Sequence, residues 1–272
     1  GENFISIYFS RLLLSVVLFG AAKKYLDGAV DEVIVCSPPL ALATVGWLIK
    51  KKCGAKLILN LRDIFPQSAI DIGILKSASA VRVFRRMERD AYLRADSITV
   101  NSEKARQFLI EKKRVPDDKI SVVWNYVDPE AYDGPIKTDF RESCGLKNKF
   151  VFLFSGILGS AQGLRFLISV AQKVKQNENI VFLLVGDGPE KVQLRSLVEE
   201  SILFNVVFKD FVSAEDYPSL LKSANVCVLC VNSESKTSFV SGKFFDYLAA
   251  GKPVLGILNR GNDGFDLIRE AR

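Results

Sequence analysis

FVFLFSGILGSAQGLRFLISVAQKVKQNENIVFLLVGDGPE, residues 150–190, decides the fold. An apolar run from Val151 to Ser155 stops at a glycine-rich loop, and a helical pattern follows from Gly163 to Lys175. A second apolar run, Ile180 to Val185, stops at Gly186, Asp187, Gly188 and Pro189. Strand, helix and strand in this rhythm predict a parallel sheet with helical crossovers. The rhythm continues to the end of the chain. It predicts helices over 190–200, 214–223 and 242–250, alternating with strands Val206 to Phe208, Val226 to Val231 and Pro253 to Ile257. Five strands alternating with helices make a complete doubly wound domain.

The same pattern runs through the first half. Strands are expected at Glu32 to Cys36, Lys56 to Asn60, Ser97 to Val100 and Ile120 to Val123. A helix runs to Lys52, a long one covers Ala80 to Arg94, and Asn101 and Ser102 can cap the next. Residues 129–149 mix Pro129, Gly134, Pro135 and charges without periodicity, which predicts a linker. The expected fold is therefore α/β, with two Rossmann-like doubly wound domains, 1–135 and 136–272, facing a cleft. Ligands of such sheets bind at the carboxyl ends of the strands. The chain starts at Gly1 and stops at Arg272 within a helical pattern, so it reads as a fragment incomplete at both ends.

Composition narrows the chemistry. Apolar residues make up 49% and charged residues 25%, a balance that builds a packed core and argues against disorder. The net charge of +6 comes mostly from the first 130 residues. Basic runs at Lys50 to Lys52, at Arg82, Arg85, Arg86 and Arg89, and at Lys112 to Arg114 suit phosphate-rich partners or an anionic membrane surface, or simply solvated faces. Nucleic acid is not expected as a partner. The five cysteines form no compact framework, which favours a reducing cytoplasm. Cys227 and Cys230 form a CxxC pair inside an apolar run, where residues three apart on a strand point to opposite faces, so a shared metal is not expected. The absence of histidine removes the commonest zinc ligand and general base. Residues 4–22 are largely apolar, but Arg11 near their middle favours a buried or surface-docked helix over a membrane span.

Three loops of the second half fall at strand ends. In Gly156 to Gly163, three glycines let backbone amides approach a phosphate at a helix start, although no Lys-Ser/Thr follows as in a Walker loop. In Gly186, Asp187, Gly188, Pro189 and Glu190, a dinucleotide fingerprint would need glycine where Lys191 stands. The third loop runs from Ser238 to Pro253. Ser241 can cap a helix, leaving the amides of Gly242 and Lys243 and the Lys243 ammonium for an anion. Asp246 follows three residues later on the same face, where its carboxylate could accept ribose hydroxyls or serve as an ordinary first-turn acid.

GILGSAQGL, VFLLVGDGPE and SGKFFDYLAAGKPVL, in this order, resemble the donor domain of family-4 glycosyltransferases of the GT-B fold, and within it a bacterial cell-surface polysaccharide group that includes fucosamine transferases. VIVCSPPL, LILNLRDIFPQSAIDIGIL, Ala95 with Asp96, and Asn125 with Asp128 resemble the same group's acceptor domain. The resemblance implies retaining transfer from a nucleoside-diphosphate sugar, UDP-linked by expectation, to a glycan or lipid-linked acceptor at the cytoplasmic membrane face. It implies no metal and no further cofactor. Gly159 would touch the donor phosphate, Gly186, Asp187 and Gly188 would lie by the nucleoside, and Phe211 and Val212 would border the base. Ser241, Gly242 and Lys243 would hold the diphosphate, Asp246 the ribose.

Lys243 and Asp63 are the catalytic candidates. Lys243 would answer the charge on the leaving diphosphate. Asp63, at a first-half strand end, would orient the acceptor or act as a base; the competing reading is a turn residue paired with Arg62. The family usually carries Glu where Asp246 stands, and an acid where Ser238 stands. These departures keep open a non-catalytic subunit that binds a nucleotide sugar or a membrane surface. A sugar-nucleotide epimerase of the same fold is the other alternative, disfavoured by the missing histidine.

Overall fold

The computed structural model describes residues 17–26 and 30–271. Within the apolar stretch 4–22, residues from Val17 onward are helical, and the rest, Arg11 included, lies outside the described residues. No helix among the described residues is long and apolar enough to cross a membrane.

The chain forms two compact units. Unit 1 comprises residues 1–124 and 236–239. It contains β1 (Glu32–Ser37), α1 (Ala41–Cys53), β2 (Lys56–Leu61), α2 (Gln67–Asp71), α3 (Ala78–Arg94), β3 (Ser97–Val100), α4 (Glu103–Lys113) and β4 (Ile120–Val122). The four strands are parallel and lie in sequential order. Leu57, Leu59 and Leu61 alternate inward along β2 and join Ile98, Leu109 and Tyr92 in one core. The capping chemistry is local: the Ser102 hydroxyl accepts from the Ala105 amide at 3.1 Å, and α1 ends on Gly54 in the left-handed region.

Unit 2 comprises residues 125–235 and 240–272. Its elements are α5 (Phe140–Ser143), β5 (Phe150–Ser155), α6 (Leu164–Lys173), β6 (Ile180–Val185), α7 (Lys191–Glu200), β7 (Val206–Lys209), α8 (Tyr217–Ser223), β8 (Val226–Cys230), α9 (Gly242–Ala249), β9 (Val254–Ile257) and α10 (Asp263–Glu270). All strands are parallel, in the order β7-β6-β5-β8-β9. The chain thus winds outward from β5 in one direction and then in the other, which makes the gap between β5 and β8 the topological switch point.

Both faces of this sheet are covered. Phe154, Leu164, Leu184, Val228 and Cys230 pack on one side. Val151, Leu153, Leu183, Leu220, Cys227 and Tyr247 pack on the other. The two CxxC thiols therefore point into different cores, and burial pushes each up to about 12, where it stays a protonated apolar group.

Residues 129–149, expected to link two domains, are built into unit 2 instead. Pro129–Tyr132 forms a turn of 3-10 helix, α5 follows, and Tyr132, Phe140 and Leu146 are buried in the core around Leu153. Aromatic residues spaced too far apart for a periodic signal anchor this segment. The units consequently divide between Trp124 and Asn125 rather than near residue 135.

Candidate functional site

Three segments meet at the carboxyl end of β5. The first two are the loops after β5 and β6, which extend the strand pairing past the sheet. The Gly156 amide donates to the Val185 carbonyl at 2.9 Å, Leu158 donates to Asp187 at 2.8 Å, and Glu190 donates to Leu158 at 2.9 Å. This closeness explains the glycines of the second loop. At Gly186, with φ of 142°, an added Cβ would lie 1.9 Å from the Gly156 carbonyl oxygen; at Gly188 it would lie 2.5 Å from that of Leu158. Gly159 is different. Its φ is −142°, and an added Cβ would meet only Ile157 and Pro189 at ordinary contact distance.

The third segment is the start of α9. Phe244 and Tyr247, one turn apart, are buried and seat the helix, which sends Lys243 and Asp246 to its flanks. The Lys243 side chain reaches back to β5. Its Nζ lies 4.2 Å from the centroid of the Phe154 ring and 3.5 Å from Gln162 Oε1, and it faces Gly156 so closely that a Cβ there would sit 2.9 Å away. Residue 243 keeps some exposed surface, yet its ammonium is walled by protein, and this desolvation pushes its pKa down to about 8. A cation held beside the opening amides of a helix, over an aromatic face, is an arrangement whose electrostatics favour a negative charge nearby.

Asp246 goes elsewhere. Its Oδ1 accepts the Tyr132 hydroxyl at 2.8 Å, and it forms no ion pair with Lys243 among the described residues. The buried Asn125 donates to the Val240 carbonyl at 2.7 Å. Residues 125–132 therefore hold both the segment leading into α9, at Val240, and α9 itself, at Asp246. Beneath the Gly156 loop, Ser155 Oγ lies 2.9 Å from the Tyr217 hydroxyl and 3.2 Å from that of Tyr247, and burial pushes Tyr217 up to about 12.

Ser241 occupies the N-cap position as expected, but its side chain makes no capping hydrogen bond. Its hydroxyl therefore plays no part in closing the helix. Gly242 is exposed, and an added Cβ would meet nothing. Asp187 is exposed; its carboxylate accepts from the Gly188 amide at 2.7 Å and lies 3.6 Å from Lys191. Phe211 is exposed and Val212 is half-buried against the unit 2 core. A cavity of about 370 Å3, lined by Ser160, Arg165, Glu190, Asn232 and Asn259, opens beside the same Gly156–Gly163 loop.

Asp63 belongs to unit 1. Its Oδ2 accepts the Ser68 hydroxyl at 2.8 Å. Burial raises its pKa, opposed by hydrogen bonds from Ser68 and the Ile64 amide. The competing pairing with Arg62 is absent among the described residues.

The sequence pattern does not single out Tyr132, Phe154, Asn232 or Asn259. Asn232 had a usable signal, since it stands immediately after an apolar strand run. Tyr132 and Phe154 had none, because a core aromatic and a site aromatic look alike in a one-dimensional pattern.

A parallel sheet with a switch point, glycine-tight loops at its strand ends and a lysine whose ammonium is walled in at a helix start define a doubly wound α/β protein. The comparisons with known proteins sharpen this. The model described as Glycosyltransferase Family 4 matches residues 7–131, and the one described as Glycosyl transferases group 1 matches residues 149–266. The chain belongs to these glycosyltransferases, with the GT-B fold class of two parallel-sheet α/β domains. It is 26% identical over 266 residues to WbjE of Pseudomonas aeruginosa, named as a glycosyltransferase, covering 96% of this chain and 64% of that protein. It is 24% identical over 227 residues to WcaI of Escherichia coli, whose name assigns it to colanic acid biosynthesis as a glycosyl transferase; this covers 81% of this chain and 56% of the relative. The chain thus spans less than two thirds of the length of either. Among solved structures, Anabaena HepE in complex with UDP and glucose superposes with a TM-score of 0.71 at 19% identity, over 93% of this chain and 64% of that one.

Proposed function

We propose that the chain transfers a sugar from a nucleoside-diphosphate sugar, UDP-linked, to a glycan or lipid-linked acceptor in bacterial surface-polysaccharide synthesis. The transfer retains the anomeric configuration and uses no metal. The observation that carries this reading is the Lys243 ammonium, walled in at the carboxyl end of β5 beside the first turn of α9. The names of WcaI and of the HepE complex support the polysaccharide and UDP parts.

On this reading the diphosphate lies against Ser241, Gly242 and Lys243, with the amide of Gly159 and its neighbours on the opposite side. Asp246, oriented by Tyr132, accepts the ribose hydroxyls. The nucleoside lies by Gly186, Asp187 and Gly188, and the base meets the exposed Phe211 ring and Val212. The polar cavity beside the Gly156–Gly163 loop, with Asn232, Asn259 and Glu190, suits the hydroxyls of the sugar.

Chemically, the acceptor oxygen bonds to the anomeric carbon on the face from which the diphosphate departs, and the bond from that carbon to the phosphate oxygen breaks. The acceptor's proton passes to the departing diphosphate. Negative charge builds on the diphosphate, so the fixed Lys243 ammonium and helix amides lower the barrier without reorganising. Asp63, in unit 1, is the candidate for orienting the acceptor hydroxyl. The site of action is the cytoplasm, at the inner face of the cytoplasmic membrane, where a lipid-linked acceptor would be met.

The test is incubation of the chain with radiolabelled UDP-sugars and a lipid-linked saccharide acceptor, followed by extraction of labelled lipid. Labelled product that disappears in Lys243→Ala supports the proposal. UDP binding without product in any pairing would leave the non-catalytic alternative standing, and an isomerised donor would favour the epimerase.

A further inference from the structure

Unit 1 carries a second concavity, of about 870 Å3, lined mainly by residues of α3, α4 and the loop that follows α4. At its floor, Lys113 Nζ lies 2.8 Å from the buried Glu88 carboxylate, which also accepts the Tyr92 hydroxyl at 3.0 Å. Phe108 forms one wall, and Leu93, Val115 and Pro116 add apolar surface; Leu93 is 71% exposed. Arg85, Arg89 and Lys112 line the mouth.

The basic surface extends further. Arg85 and Arg89 also line an adjoining groove of about 470 Å3 together with Arg82 and Arg86. Offsets of three, four and seven residues put these four guanidiniums on one stripe of α3, where like charges repel. Among the described residues, Arg82, Arg85, Arg86 and Lys112 have no carboxylate at ion-pair distance, and the nearest to Arg89 is Asp90 at 3.9 Å. The only buried carboxylate here, Glu88, is already taken by Lys113 and Tyr92. The cations are therefore left for an outside anion.

We propose that this groove binds a phosphorylated amphiphile, one or two phosphates on an apolar chain. Guanidinium and ammonium groups at the mouth hold the phosphates, and Phe108, Leu93 and Val115 cover the chain. A bare anion would leave the apolar wall in water, and a neutral lipid would leave the cation stripe uncompensated. The site lies wholly within unit 1 and does not depend on the donor assignment in unit 2.

Calorimetric titration of the 272-residue chain tests this with geranyl diphosphate, inorganic pyrophosphate and geraniol as probes. The expected result is geranyl diphosphate bound at least about tenfold more tightly than either fragment, undisplaced by UDP. The triple variant Arg85→Gln, Arg89→Gln, Lys112→Gln should lose about tenfold in that affinity while keeping its melting temperature and its affinity for UDP. Pyrophosphate bound as tightly as the amphiphile, displacement by UDP, or unchanged binding by the triple variant would each overturn the proposal. So would capture by phosphatidylglycerol-containing phosphatidylcholine vesicles without binding of the soluble probe, which would mean attraction to a charged surface only.

Discussion

The phenol of Tyr132 donates to the carboxylate of Asp246 at 2.8 Å, joining a 3-10 turn to a helix 114 residues further along the chain. Tyr132 is buried while Asp246 is half-buried, so the two partners should respond unequally to loss of the bond. Tyr132→Phe leaves a carboxylate that can turn to water and should cost about 1 kcal/mol. Asp246→Ala leaves a buried hydroxyl without its acceptor and should cost about 1–3 kcal/mol. Urea denaturation of both variants checks the order; equal losses would mean that the bond does not anchor α9.

Lys243 predicts a pH signature. Its pKa is pushed down from 10.5 to about 8 by burial, so the folded chain releases this proton before the unfolded chain does. The cost of burying the charge is fully present below about pH 8, and stability gains from relief of that cost as pH rises from about 8 toward 10.5. Lys243→Met should lack this rise in urea midpoints. A bound diphosphate favours the charged form, so UDP affinity should be greatest below pH 8 and fall above it, by at most about tenfold per unit for one proton. Flat affinity from pH 7 to 10 would remove Lys243 from the anion site.

Loss of the same ammonium should also reach the chemistry. Lys243→Ala is expected to lower turnover by about 100- to 1,000-fold, the scale set by removing one donor aimed at developing charge. Melting temperature should hold or rise, because a desolvated charge has been removed. Steady-state kinetics with a labelled donor and a melting curve of the same preparation separate the two effects.

The glycine loops give a contrast between folding and binding. Gly186→Ala would drive a methyl group to 1.9 Å from the Gly156 carbonyl oxygen at a backbone angle that side chains rarely adopt, and should cost about 3 kcal/mol or more. Gly159→Ala meets only ordinary contacts, so its effect should be confined to UDP affinity. Thermal melts with and without UDP distinguish them.

The buried Glu88–Lys113 pair supplies a stability test in unit 1. Lys113→Ala leaves Glu88 ionised in the core or forces it to hold a proton, and should cost about 3–5 kcal/mol. Glu88 already has a pKa raised by burial, so its contribution to stability falls as pH climbs from its unfolded value of 4.5 through the raised folded one. In Lys113→Ala that decline should extend to higher pH, as read from urea midpoints between pH 4 and 8.

Much of this was legible along the chain. The apolar runs at Val151 to Ser155 and Ile180 to Val185 became adjacent parallel strands because local periodicity reports which faces are buried. Gly186 and Gly188 were visible as a strand-end loop, but the reason for them was not, since the crowding comes from a loop about thirty residues earlier. Residues 129–149 look like a linker in sequence because three isolated anchors, Tyr132, Phe140 and Leu146, have no period to detect. Ser241 held its expected place without its expected hydrogen bond.

Order and kind of elements, the strand-end loops and the presence of a lysine and an aspartate at the start of one helix were determined by the residues themselves, because each rests on interactions within a few positions. Only the folded chain decided where those two side chains go: Lys243 back over Phe154, Asp246 to Tyr132. On a bare helix, residues three apart share a face and could pair. In the protein, packing of Phe244 and Tyr247 turns that helix against the sheet, and partners brought from distant segments claim each charge separately.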